Sequence, residues 1–259
     1  MQKNKFIPLS IIVFLFLLGV AQADEELFEK EFEVKNGGSL YLDSDAGSVE
    51  IGTHTKPIVE LKVSIKGGDA DDFKISSEQS GKDVSVKGDR KSIGWGSNSL
   101  RVNFIVTVPK EYDLRLETGG GSISVQDLIG EIDAKTSGGS IIISDVRGDV
   151  DVKTSGGSIR VEDVAGNIKG RTSGGSIKVK FSEQITQDSV LSTSGGSIAA
   201  YLPTEIKVDI DASTSGGRVR SDFNVDGTVK KTKIKGEIND GGPLLKLRTS
   251  GGNVSIKEH

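Results

Sequence analysis

Seven times this chain writes Thr, two small residues, Gly and a polar residue ahead of an apolar stretch. The copies begin at Thr118, Thr136, Thr154, Thr172, Thr193, Thr214 and Thr249. Five of them read TSGGS or TGGGS; the first four start 18 residues apart and the next two follow at 21. Self-similarity at a fixed period is the mark of stacked, near-identical units and constrains the fold more than any local motif.

A finer period lies within the 18. Gly121, Gly130, Gly139, Gly148, Gly157, Gly166 and Gly175 recur every nine residues. Each opens a segment with an apolar residue at its third position (Ile123, Ile132, Ile141, Val150, Ile159, Ile168, Ile177) and, except at Gly170, at its fifth (Val125, Ala134, Ile143, Val152, Val161, Val179). Alternation of this kind belongs to strands with one buried face, and β-branched residues suit them. Each unit therefore holds two short strands and two turns. One turn is Thr-Ser-Gly-Gly, where glycine tolerates φ > 0. The other is Asp-x-x-Gly (127–130, 145–148, 163–166), where Asp can bond its own backbone and the next residue (Leu128, Val146, Val164) plugs the core corner.

Two topologies fit, an antiparallel meander or a solenoid that coils and stacks on itself. The solenoid is favoured, because only there do residues 18 apart fall into columns about 4.8 Å apart. A meander gives no reason to keep every second strand identical. One coil alone cannot offset an ordering cost of roughly 1–2 kcal/mol per residue, so neighbours must stack. The expected fold is an all-β β-solenoid with an N-terminal β-sheet cap.

Lys3 and Lys5, the apolar run 6–20 and Ala21-Gln22-Ala23 read as a secretory signal peptide over residues 1–23. The run is short for a membrane span, so the mature chain is expected to be exported without one, to the periplasm or the cell surface. The absence of cysteine excludes disulfides, thiolate metal sites and a lipidated N-terminal Cys. A formal net charge of −4 argues against nucleic acid as a partner. The 34 glycines in 259 residues are about twice the usual ~7%, suiting a thin core of Ile and Val.

Residues 24–110 form an N-terminal β region, with 59–65, 83–87 and 100–108 alternating as strands and 39–51 (SLYLDSDAGSVEI) resembling a degenerate coil. An exposed solenoid end is an unpaired edge and calls for such a cap. Residues 111–259 form the repeat solenoid, interrupted at 223–242 by a charged hairpin-like insert and closed by a last coil at 244–256.

At residues 106–125 (VTVPKEYDLRLETGGGSISV) and the TSGGSI copies after them, the chain resembles a bacterial β-strand-repeat family of unknown function labelled "putative adhesins". That family is related in pattern to the head domain of "putative autotransporter adhesins". The resemblance covers most of the chain beyond residue 23. It implies a β-solenoid of the cell envelope, with adhesion as an inferred role and no catalytic residues to carry over.

Calcium-binding nonapeptides need Asp inside a G-G-x-G-x-D run; here Gly-Gly is followed by Ser-Ile, and Asp127, Asp145 and Asp163 read as turn residues. No cofactor or metal is expected. The repeated serines lack a base, since the histidines are His54 and His259. Glu131, Asp133, Asp149 and Asp151 could do acid–base work on a polysaccharide, yet they stand beside Lys135, Lys153 and Arg171 as charge balance on a solvated sheet. The outward positions of the other sheet carry Arg160, Lys178 and Arg220, with Lys180 and Arg218 close by. This basic stripe is the candidate ligand face, suited to an anionic envelope polymer. Trp95 lies on a Gly-flanked turn, read as local packing ahead of a contact with sugar or partner. The expected role is an exported, non-enzymatic, adhesin-like interaction module whose partner is an envelope glycan or surface protein. Its rivals are a polysaccharide-active enzyme and a scaffold that self-associates end to end through the last coil, blunted only by Lys257, Glu258 and His259.

Overall fold

The computed structural model describes residues 25–67, 70–91 and 100–259. The segment read as a signal peptide, Trp95 and part of the turn at Gly68 lie outside the described residues. The N-terminal region forms β1 (Glu25–Glu33), β2 (Gly38–Ser44), β3 (Ser48–His54), β4 (Ile58–Lys66), β5 (Phe73–Ser80), β6 (Asp83–Arg90) and β7 (Arg101–Pro109). The regular repeats supply β8 (Tyr112–Thr118), β9 (Ile123–Ile129), β10 (Ile132–Thr136), β11 (Ile141–Arg147), β12 (Val150–Thr154), β13 (Ile159–Ala165), β14 (Ile168–Thr172) and β15 (Ile177–Phe181). Then come β16 (Ser189–Thr193), β17 (Ile198–Leu202), β18 (Val208–Thr214), β19 (Val219–Ser221), β20 (Asp226–Lys230), β21 (Lys233–Ile238), β22 (Leu244–Thr249) and β23 (Val254–Glu258).

Among the described residues these strands make two long sheets facing each other across one thin core. Sheet 1 runs β1-β4-β7-β3-β9-β11-β13-β15-β17-β23-β19, and sheet 2 runs β20-β21-β18-β22-β16-β14-β12-β10-β8-β2-β6-β5. Each coil gives one strand to each sheet, and successive coils pair in parallel: Ile132 opposite Val150, Thr136 opposite Thr154, Ile141 opposite Ile159. The fold is a β-solenoid. Alternation sorts side chains as expected, with Ile132, Ala134 and Thr136 buried while Asp133 and Lys135 stay partly exposed. Leu128, Val146 and Val164 fill one corner of the core.

The repeated motif is the stacking contact itself. Its Thr is buried and donates its hydroxyl hydrogen to the carbonyl of the motif's fourth residue in the neighbouring coil, at 2.8 Å for Thr136 to Gly121 and Thr154 to Gly139. Its closing Ser accepts from the backbone N–H of the next copy, Ser140 to Ser122 at 3.2 Å and Ser176 to Ser158 at 3.1 Å. The fourth residue must be glycine for lack of space: a Cβ on Gly139, Gly157 or Gly175 would lie 2.1 Å from the glycine carbonyl oxygen of the coil before. Positive φ, expected from the sequence, occurs in this column at Gly47 and Gly121. Elsewhere close approach is the requirement. At the other corner Asp127, Asp145 and Asp163 take the left-handed conformation (φ 57°, 56° and 53°), which short polar side chains tolerate.

The ends of the stack are not the ends of the chain. The coil β2/β3 is the degenerate copy expected at residues 39–51, and it lies between β8/β9 and β6/β7. Beyond it, β4 and β1 extend sheet 1 and β5 extends sheet 2, all antiparallel, as an N-terminal cap. The C-terminal coil β22/β23 is likewise inserted, between β16/β17 and β18/β19. Thr249 donates to Gly196, and Thr214 donates to Gly252. The last coil is therefore not the exposed edge that the order of repeats suggests; the hairpin β20/β21 occupies that end of sheet 2.

Tyr112 joins cap and coils. Its ring is 1% exposed and its hydroxyl donates to the Lys82 carbonyl at 2.5 Å. Burial, and secondarily the Asp83 charge, push its pKa from 10.0 up to about 12. The neutral phenol's contribution is intact below pH 10. It is lost as pH rises toward 12, where the unfolded chain ionises first.

Two outcomes follow. Gly139→Ala should destabilise the fold by about 3 kcal/mol through forced separation of coils, whereas Gly138→Ala, whose Cβ would meet nothing closer than 3.9 Å, should stay within about 0.5 kcal/mol; urea unfolding of both checks this. Tyr112→Phe should flatten the loss of stability between pH 10 and 12 that the wild type shows. That loss is about 2–3 kcal/mol, read from denaturation midpoints across that range.

Candidate ligand-binding surface

In β13 Ile159 and Val161 point inward, so Arg160 and Glu162 point out. In β15 the same alternation turns out Lys178 and Lys180. Register then aligns them. Arg160 pairs with Lys178, and the column continues through Ala199 and Ser255 to Arg220 of β19. The neighbouring column runs Lys180, Tyr201, Lys257. Arg218 lies just ahead of β19, its N–H donating to Asn253 Oδ1 at 2.9 Å.

These five residues thus share one face, but not one environment. Glu162 holds Lys178 at 3.2 Å and Arg160 at 4.0 Å, and Asp163 holds Lys180 at 2.7 Å. The guanidinium groups of Arg218 and Arg220 have no ion pair among the described residues. The sequence reading missed the centre of the face. The Tyr201 ring lies 5.3 Å from the Lys178 ammonium and 5.7 Å from that of Lys257, an aromatic plate between two cations. The signal was present: Lys180, Tyr201 and Lys257 each fall eight residues after a motif Thr (172, 193 and 249).

The opposite face carries the carboxylates considered for catalysis. They line an open groove of about 460 Å³ with Asp113, Arg115 and Lys169. Asp133 is paired with Lys135 at 2.9 Å and Asp151 with Arg171 at 3.9 Å. Asp113 and Asp149 each accept a backbone N–H of the following coil, from Glu131 at 2.9 Å and Asn167 at 3.0 Å. These groups stitch coils together. Among the described residues neither ring nitrogen of His54 has a hydrogen-bond partner, and His259 Nε2 lies 2.9 Å from the Phe181 carbonyl. The corner column Asp127, Asp145, Asp163 is bounded by Lys110 and Lys180 at 2.8 and 2.7 Å. Among the described residues no cluster of three His, Cys, Asp or Glu is placed to hold a metal, and no helix is long and apolar enough to cross a membrane.

No curated protein matches the sequence. Solved structures to which the chain is similar include a putative cell adhesion protein from Clostridium sporogenes ATCC 15579, 15% identical, covering 90% of this chain and 100% of that one, with a TM-score of 0.42. A putative adhesin from Bacteroides fragilis NCTC 9343 is 14% identical over 90% and 97% of the two chains, with a TM-score of 0.39. A putative lipid binding protein from Parabacteroides distasonis ATCC 8503 is 16% identical over 92% and 97%, with a TM-score of 0.36. Likeness at this level says nothing of function. The family model described as Toastrack DUF4097 matches twice, over residues 38–165 and 129–257. Together these matches span nearly the whole solenoid, and the chain belongs to the Toastrack DUF4097 family.

Proposed function

We propose that this protein is an exported, non-catalytic interaction module of the cell envelope, adhesin-like in role. On this proposal it binds an anionic polymer such as an envelope glycan along the outer face of sheet 1. Arg160, Lys178, Lys180, Arg218 and Arg220 make the ionic contacts, and the ring of Tyr201 offers a stacking surface beside them. The observation that carries this proposal is the shared register of Arg160, Lys178 and Arg220. It sets cations at multiples of the strand spacing, about 5 Å for the first pair and about 14 Å from Lys178 to Arg220. Repeating anions can meet several of them at once, and weak single contacts then add. Arg218 and Arg220 engage directly, while Arg160 and Lys178 exchange Glu162 for the ligand. Export rests on the N-terminal segment 1–23, and the destination is the periplasm or the cell surface.

The chain from residue 24 onward, which holds every described strand, should bind anionic envelope glycans more strongly at low than at physiological salt. The triple variant Arg160→Glu/Lys178→Glu/Arg220→Glu should lose at least about tenfold in affinity, measured by biolayer interferometry on immobilised glycan. Binding unchanged by the triple variant would remove the basic face from the site. Release of sugar reducing ends, abolished in Asp133→Ala/Asp151→Ala, would replace the proposal with a polysaccharide-cleaving activity. The pairing of those carboxylates with Lys135 and Arg171 speaks against that activity.

A further inference from the structure

The two ends of the solenoid differ in outline and in charge. At the end where the hairpin lies, sheet 2 runs two strands, β21 and β20, past the last full coil, while sheet 1 stops at the three-residue β19. At the other end the overhang is reversed. Past the coil β6/β7, sheet 1 adds β4 and β1 and sheet 2 adds β5. Among the described residues no further strand pairs with the outer edges of β20, β1 or β5. On β19 the Val219 N–H donates to the Lys231 carbonyl at 2.9 Å. At the other end Gln79 of β5 donates to the Glu33 carbonyl and Lys30 of β1 to that of Ser77. All of β20 is exposed. Its Val229, level with buried Ile234, is 63% exposed on the inner side, where no strand of sheet 1 stands opposite.

Residues 218–237 carry six cations (Arg218, Arg220, Lys230, Lys231, Lys233, Lys235) and three acids (Asp222, Asp226, Glu237), a balance of +3. Strand β1, EELFEKEFE, carries five glutamates and one lysine, a balance of −4. That lysine, Lys30, is turned across the core end to Ser77 of β5, with Nζ to Oγ at 3.1 Å. Glu26, Glu31 and Glu33 are exposed.

We propose that the protein assembles head to tail with a second copy of itself, its basic hairpin end docking on the acidic β1/β5 end of the next molecule. Strand β20 runs with the coils and β5 against them, so these two edges meet as an antiparallel pair and extend sheet 2 across the junction. The steps are of opposite sense and fit to within one strand of sheet 1, at the level of the 222–225 link with its partly buried Phe223 and Val225. Like ends repel and unlike ends attract, so the contact is heterologous. Translation along the solenoid axis does not close it, and the product is an open filament. Arg218 and Arg220 of the ligand face add to the charge of this end. Lys231, Lys233 and Lys235 lie outside that face, so substitutions confined to them separate the failure of this contact from the failure of glycan binding.

Sedimentation velocity on residues 24–259 tests it. Average mass should climb with protein concentration at low salt and return to monomer at high salt. Lys231→Glu/Lys233→Glu/Lys235→Glu gives two acidic ends, and Glu26→Lys/Glu31→Lys/Glu33→Lys gives two basic ones. Each should sediment as a folded monomer, verified by circular dichroism. A 1:1 mixture should re-associate at least about tenfold more tightly than either variant alone. A monomer at every concentration, a mass that stops at the dimer, or a mixture that stays monomeric would each overturn the proposal.

Discussion

At the motif corner neighbouring coils come so close that only a hydrogen atom fits between one backbone and the next. A Cβ at Gly139, Gly157, Gly175 or Gly196 would sit 2.1–2.2 Å from the carbonyl oxygen below, far inside van der Waals contact. This forces glycine once per coil and lets the buried Thr hydroxyl reach the neighbouring carbonyl at 2.7–2.8 Å. The two effects lock the register of both sheets. A slip by one residue would turn Ile and Val outward and Asp, Lys and Arg into the core.

A locked register turns the surface into columns. Residues at one offset from the motif share a line, whether that line is a ladder of Ser hydroxyls, a file of corner aspartates or a row of cations. Like charges stacked at strand spacing repel. The chain relieves this with nearby opposites: Lys135 for Asp133, Arg171 for Asp151, Glu162 for Arg160 and Lys178. Arg218 and Arg220, near the end of the stack, lie past the last of these matched pairs, and there the face remains basic. The same stacking leaves two open ends. The molecule tucks both terminal coils inside the stack and finishes it with antiparallel strands of opposite net charge.

Much of this was legible in the sequence because a repeat states its own geometry. Strands at 59–65, 83–87 and 100–108 appear as β4, β6 and β7, and the degenerate coil at 39–51 appears as β2/β3. Strands β1 and β5 were not read: the first is dense in charge and the second fades into Ser and Gln after Ile75. The candidate cations do share a face, but their ion pairs and the Tyr201 plate depend on residues brought together by stacking, up to 56 positions apart along the chain.

By itself, the sequence determined the unit: two strands, two turns, an Ile and Val core, and a stack held at Thr-x-x-Gly. Those are local properties, repeated until noise cannot hide them. Only the tertiary structure decided the order of the stack, placing β22/β23 between β16/β17 and β18/β19. Identical coils have interchangeable edges, so the motif alone cannot choose a neighbour. The choice falls to what does not repeat: the 223–242 insert, which fills the edge beyond β18, and His259, whose ring lies against the Phe181 carbonyl and whose backbone N–H donates to that of Leu202.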